Sequence, residues 1–172
     1  NGKTIDDLEQ SFGIQIIAMS IGGKTVMEPT RDLVISAPAH LAVIGEPSKF
    51  KAFLTDSGLT EAPRLTVFAA SLGGDKSGIA EVVITPEASI IRKTGREIWI
   101  RRIFGLAPLV IYRGGEVLTR DRAEIGRTAY QAGDLLVCHT TWAELTRLEA
   151  NKDFVVVTSD YPREVLRPEK LR

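Results

Sequence analysis

The chain has 172 residues, of which 44% are apolar and 26% charged, with 22 Lys plus Arg against 22 Asp plus Glu. That is a globular composition, and it excludes disorder or a collagen-like repeat as the main state. The zero formal charge argues against a dedicated nucleic-acid module, whose affinity rests on neutralising phosphates. The length suits one large domain or two small ones. The single cysteine, Cys138, allows no intrachain disulfide, a usage that fits a reducing compartment. Only His40 and His139 stand beside it, too few for a Cys/His zinc set. No uncharged run approaches the roughly 20 residues of a membrane helix. The start, Asn1-Gly2-Lys3, lacks a signal-peptide core. It lies directly at a helix start, so the protein is expected to extend upstream.

In chain order, the first expected element is a short helix. Asp7 follows Thr4 at capping-box spacing, which satisfies orphan N–H groups at a helix start, and the helix runs to about Gln10. The apolar run Ile14–Ile21 and the extended run Lys24–Met27 flank Gly22-Gly23. A diglycine between extended runs reads as a tight hairpin, because glycine accepts positive φ without cost. A strand Leu41–Ile44, a helix stopping at Gly58 and a strand-like Leu65–Ala69 follow. The stretch Ala70–Gly78 reads as a linker by its Gly, Ser and Asp content.

The same order then recurs. A strand Ala80–Thr85 leads, for which the first half has no counterpart. Thr94 and Glu97 repeat the cap, with a helix to about Arg101. The runs Leu106–Tyr112 and Glu116–Thr119 flank Gly114-Gly115, and Pro108, lacking an N–H, belongs at an edge or strand start. Next come Leu135–Cys138, a helix capped by Thr141 and Glu144 with Leu145 and Leu148 on one stripe and a stop near Asn151, and Phe154–Val157. One offset relates Phe12-Gly13 to Phe104-Gly105 and Gly22-Gly23 to Gly114-Gly115. Leu41–Val43 and Leu135–Val137 drift two residues further, and Ala39-His40 then align with Gly133-Asp134. The reading is an α+β fold of two tandem units, each a small β-sheet with hairpin plus two helices: residues 1–69 (first strand missing), a linker 70–78, residues 79–160, and a basic tail 161–172.

Catalytic motifs are lacking. Gly22-Gly23-Lys24-Thr25 ends like a P-loop, but Ala18 replaces the first glycine, and the matching Gly114-Gly115-Glu116-Val117 opens a strand where a phosphate cradle needs a helix. No G-x-G-x-x-G and no G-x-S-x-G occurs. Cys138 and His139 are strand neighbours that point to opposite faces, Cys138 into the core and His139 exposed at a strand end. His40 reads as an exposed loop residue, and Trp99 and Trp142 as core or interface anchors on helices. The candidate ligand site is the basic cluster Arg92, Lys93, Arg96, Arg101 and Arg102, just ahead of and along a helix start where backbone N–H groups add anion affinity. The bland reading of the same residues is a solvated face. The first half carries Asp6, Asp7 and Glu9 there instead, so an anion site would be asymmetric.

The pattern Glu81-Val82-Val83-Ile84-x-Pro86-x-x-Ser89, Lys93-Thr94, Arg101-Arg102-x-Phe104-Gly105-Leu106, Tyr112-Arg113-Gly114-Gly115 and Ala132-Gly133-Asp134-Leu135-Leu136-Val137 resembles the TrkA-C (RCK-C) domain. Residues 3–69 resemble it more weakly. The chain departs from the family at Arg92, where glycine is common before Lys-Thr. Tandem copies resemble the cytoplasmic loop of bacterial divalent-anion:sodium symporters. The resemblance implies a non-enzymatic regulatory module on the cytoplasmic face of the cell membrane, part of an integral membrane protein. It implies a homodimer coupled to the transmembrane domain of the same polypeptide, with a small nucleotide or other anion as ligand, no cofactor, no metal and no nucleic acid. Arg163, Arg167, Lys170 and Arg172 would then flank a membrane helix, in line with the positive-inside bias. The alternative is a purely structural dimerisation or stability module that binds nothing.

Overall fold

The computed structural model describes residues 2–64, 66–119 and 121–163, with the Arg122 side chain excepted. The fold is α+β, built on two antiparallel sheets. The N-terminal part runs α1 (Ile5–Phe12), β1 (Gln15–Ile21), β2 (Lys24–Met27), β3 (Ala39–Ile44) and α2 (Pro47–Ser57). The C-terminal part runs β4 (Ser77–Ile84), α3 (Ile100–Phe104), β5 (Ala107–Arg113), β6 (Glu116–Thr119), α4 (Arg122–Ile125), β7 (Leu135–Thr141), α5 (Trp142–Leu148) and β8 (Phe154–Val156). Strand order is β2-β1-β3 in one sheet and β6-β5-β7-β4-β8 in the other. No helix among the described residues is long and apolar enough to cross a membrane.

Both diglycines close hairpins. Gly22 and Gly23 (φ 58° and 78°) join β1 to β2, and Gly114 and Gly115 (φ 61° and 79°) join β5 to β6. Successive positive φ values define the turn whose twist matches the strands, and side chains with a Cβ resist them. A strand follows each pair, so neither forms a phosphate cradle. The sheets share further detail. The β1–β3 ladder slips between Ile16 and Ala18, and the β5–β7 ladder slips between Pro108 and Val110, at matching distances from the hairpins. The slip absorbs Pro108, which has no N–H to give a ladder. Gly13 and Gly105, both left-handed, stop α1 and α3. The hairpin registers set Leu41 opposite Met19 and Leu136 opposite Ile111. Leu41 therefore matches Leu136 rather than Leu135, and the expected alignment of Ala39-His40 with Gly133-Asp134 is one residue out of register.

Three expectations fail locally. Thr94 and Glu97 do exchange both capping hydrogen bonds, yet residues 95–99 are turns and the helix begins only at Ile100. Trp99 is its N-cap, left-handed at φ 52°. Of the expected strand 65–69, residue 65 lies outside the described residues and Thr66–Phe68 form a 3₁₀ turn. The linker 70–78 ends early, because Ser77 and Gly78 already pair with Thr141 and Thr140. Of the basic tail, residues 164–172 lie outside the described residues. Tyr161 packs into the core beside Trp142, and Arg163 pairs with Glu149.

One core lies between the five-stranded sheet and α5, on Ala80, Val82, Ile84, Leu136, Leu145 and Phe154. A smaller one lies under α1 and α2, on Ile5, Leu8, Ile14, Ile16, Met19 and Phe53. The chain enters α1 and the Thr94 cap by the same bonds. Gly2 N–H donates to Ile35 and Arg92 N–H donates to Tyr130; both residues are left-handed, at φ 83° and 68°. Arg92 thus holds a conformation that glycine takes freely. The left-handed state costs a Cβ-bearing residue roughly 1–2 kcal/mol, whereas glycine adds only about 0.4–1 kcal/mol of unfolded-state freedom. Arg92→Gly should therefore raise the thermal midpoint, and a lower midpoint in a calorimetric melt would contradict this account.

Candidate functional site at the seam between the sheets

The basic cluster is not a free face. Its central members meet the acidic face of α1. Arg96 forks onto Asp6, its Nη2 donating to Oδ2 at 2.9 Å. Arg101 forks onto Glu9, with Nη1 donating to Oε1 at 2.8 Å and to the Pro29 carbonyl at 2.9 Å while Nη2 reaches Oε2. Glu9 also accepts from the Ile16 N–H at 3.2 Å. With its oxygen turned toward Arg101, the Gln15 carboxamide accepts from Nε at 3.3 Å. The Arg101 and Glu9 side chains are only 14% and 7% exposed, so the pair lies in a medium where charge must be matched. Burial opposes the Arg101 charge, and Glu9 outweighs it, holding the guanidinium above its ordinary range. The Arg96 hydrogen bond holds the Asp6 carboxyl below its ordinary range.

The pairing follows from placement in the sequence. Asp6 follows its cap Thr4 as Arg96 follows Thr94, and Glu9 precedes Phe12 as Arg101 precedes Phe104. Matched positions of the two halves meet each other across the seam, one acidic and one basic. A half paired with its own kind would set like charges together, which costs several kcal/mol at an interface. The charge pattern therefore selects pairing of unlike halves.

A second link sits deeper. His139 was expected to be exposed at a strand end; it is buried, and its Nδ1 meets Glu28 Oε1. The strand extends past Cys138 to Thr141, so His139 is interior to it and faces the N-terminal half. Burial raises the Glu28 carboxyl above its ordinary value, against the opposing hydrogen bond from His139. Cys138 is fully buried, and burial pushes its thiol up. Burial thus disfavours the thiolate, which is the reactive form of cysteine.

Beside the Arg96–Asp6 and Arg101–Glu9 pairs lies a cleft of about 60 Å³, lined by them and by Gln10, Thr30, Arg31, Trp99, Arg102 and Tyr130 among others. Two guanidinium groups lie over the Trp99 ring, Arg31 at 4.3 Å and Arg102 at 4.7 Å from its centre. Arg102 is half exposed and stands 3.6 Å from Asp32. The Arg31 Nε and the Tyr130 hydroxyl are buried without a hydrogen-bond partner. Of the predicted site residues, Arg96, Arg101 and Arg102 come together here. Arg92 and Lys93 lie outside the cleft and are exposed. Arg31, Glu28 and Tyr130 escaped sequence reasoning, since no motif marks them. The opposite signs of Asp6 and Arg96 at one distance from Thr4 and Thr94, and of Glu9 and Arg101 at one distance from Phe12 and Phe104, were a legible signal for the seam. Among the described residues no group of three or more His, Cys, Asp or Glu could hold a metal ion.

Removing one partner of a buried ion pair leaves an uncompensated charge and costs roughly 3–5 kcal/mol. Arg101→Ala should lose about that much in urea unfolding, while the exposed Arg102→Ala leaves the midpoint nearly unchanged. Equal effects of the two would refute the seam as the stabilising contact. Glu28 binds its proton more tightly folded than unfolded, so native stability falls as pH rises above its ordinary value of 4.5. Glu28→Gln removes that slope. The variant should gain on the native chain as pH rises from there toward neutrality, and parallel stability–pH curves would rule this out. No protein-family model matches this chain, and no curated protein matches its sequence.

Proposed function

We propose that the chain is a non-enzymatic regulatory module of a membrane ion or anion transporter, made of two TrkA-C-like units that pair within one polypeptide and bind an anionic ligand, a small nucleotide by class, in the seam cleft. The observation that carries the ligand is the Trp99 corner. It offers two guanidinium groups gathered on one aromatic ring, and an Arg31 Nε buried without a partner. Buried donors without acceptors are costly, and an anion held by Arg31 and Arg102 beside Trp99 would supply the acceptor. The cleft is small against the roughly 300–1,000 Å³ of ordinary ligand pockets, so entry would part the two halves. A ligand that binds the parted arrangement better shifts the balance toward it, by no more than that difference in affinity. This couples binding to a movement that an attached transmembrane domain could follow. The module would act on the cytoplasmic side, as part of an integral membrane protein.

Self-association of two chains belongs to the same proposal. The outer face of β4 and β8 exposes Ile79 and Val155, with Val157 just past β8, at about half of their surface each; Val83 pairs with Val155 there, and Glu81 adds one charge to the face. Contiguous exposed apolar surface marks interaction sites.

The structural alternative has its own support: Arg96 and Arg101 are spent on Asp6 and Glu9, and the cleft is narrow. A thermal-shift panel of mono- and dinucleotides and inorganic anions separates the two. The sensor reading expects a raised midpoint with at least one nucleotide, lost in Arg31→Ala and Arg102→Ala. No shift across the panel leaves a module that only pairs and stabilises.

A further inference from the structure

We infer that the open edge of β3 is the seat of an extended strand supplied by chain that precedes Gly2, pairing antiparallel with β3 as β4 pairs with β7. The inference rests on the correspondence of the two sheets, not on the transporter reading.

In the five-stranded sheet β7 is interior, bonded to β5 on one side and β4 on the other. Its counterpart β3 is bonded to β1 alone among the described residues. Beside that edge lies a groove of about 470 Å³, whose walls include Leu41, Val43, Phe50, Phe53, Leu54 and Phe68. In the other sheet the corresponding space is solid. Ala80, Val82 and Ile84 of β4 fill it with Phe154 of β8, against Leu145 and Leu148 of α5. The groove therefore has the place of an alternating apolar strand. A strand edge with bare N–H and C=O groups over an apolar groove is a template for pairing.

The segment after α2 points the same way. Phe154–Val156 form a strand because β4 is there to pair with. Residues 66–68 occupy the corresponding place in sequence and form a 3₁₀ turn, having no such partner. Val67 and Leu59 at the groove are left nearly half exposed.

The route of the chain identifies the occupant. Ile35 N–H donates to Lys3 as Tyr130 N–H donates to Lys93, and Thr4 bridges Val34 as Thr94 bridges Ala129. Residues leading into Arg92 come directly from β4. Residues leading into Gly2 are steered along the same path, toward β3. A second copy of the chain fits less well: its own β3 would satisfy the backbone, but the Leu41 and Val43 side chains it brings already pack in their own core.

The test appends a copy of the Ser77–Ile91 sequence ahead of Gly2, in place of Asn1. Amide hydrogen exchange is read at Ala39–Ile44, with the thermal midpoint alongside. Exchange at the open β3 amides should slow by about tenfold or more and the midpoint should rise. The same graft with aspartate at its second and third inward positions, those of Val82 and Ile84, should do neither. If the graft does not fold by circular dichroism, a synthetic Ser77–Thr85 peptide added to the native chain gives the same readout. Unchanged β3 exchange in the folded graft, or with saturating peptide when the graft does not fold, overturns the inference. So does β3 protection in the native chain that appears together with a dimer mass in light scattering, since the occupant is then a second copy.

Discussion

The structure turns on one buried ion pair. Arg101 and Glu9 come from segments far apart in the chain, and each would be costly alone in the seam. Together they draw in the Pro29 carbonyl, the Ile16 amide and the Gln15 carboxamide, so most of the polar groups around them are matched. Such a pair adds little net stability over a well-packed apolar contact. What it adds is selectivity: neither charge tolerates the wrong partner. Asp6 with Arg96, at a more exposed station of the same seam, repeats the sign pattern. Glu28 with His139 ties the deeper layer. The two sheets are held in one arrangement by contacts that a pair of identical halves could not make.

Around that seam, both halves solve the same local problems with the same devices. A glycine in the left-handed region ends the first helix. A diglycine reverses the chain, and a one-residue slip in the next ladder retunes the strand. Slips of this kind re-aim side chains and increase twist, and finding one at matching places in both sheets ties it to the packing of the following strand. Where the halves differ, the difference has consequences. Gly2 gives way to Arg92 at a left-handed position, and among the described residues the N-terminal sheet has three strands where its counterpart has five. Among the described residues β3 is an edge strand beside a groove, and residues 66–68 form a 3₁₀ turn there.

The exposed charges of the basic cluster and its buried ones play separate parts. Arg96 and Arg101 hold the fold together. Arg102, with Arg31, lies over the Trp99 ring at the cleft, and Arg102 is half exposed. Arg92 and Lys93 are exposed beyond it. A run of arginines in a sequence therefore mixes structural and available groups, and only their partners tell them apart.

Local chemistry made much of this legible from the sequence. Capping pairs, diglycine turns and runs of apolar residues act over a few positions, so Thr4, Gly22-Gly23, Gly58, Gly114-Gly115 and Thr141 could be read without coordinates, and so could the α+β class. The limits were also local: Thr94 and Glu97 form their hydrogen bonds, but Trp99 is left-handed and the helix starts only at Ile100. The burial of His139, the capture of Arg101 by Glu9 and the 3₁₀ turn of Thr66–Phe68 in place of a strand were decided by tertiary structure alone. Each depends on what a distant segment places opposite, or fails to place. A side chain's partner across a seam, and a strand's neighbour in a sheet, are set by packing between segments tens of residues apart, and no spacing within either segment records them.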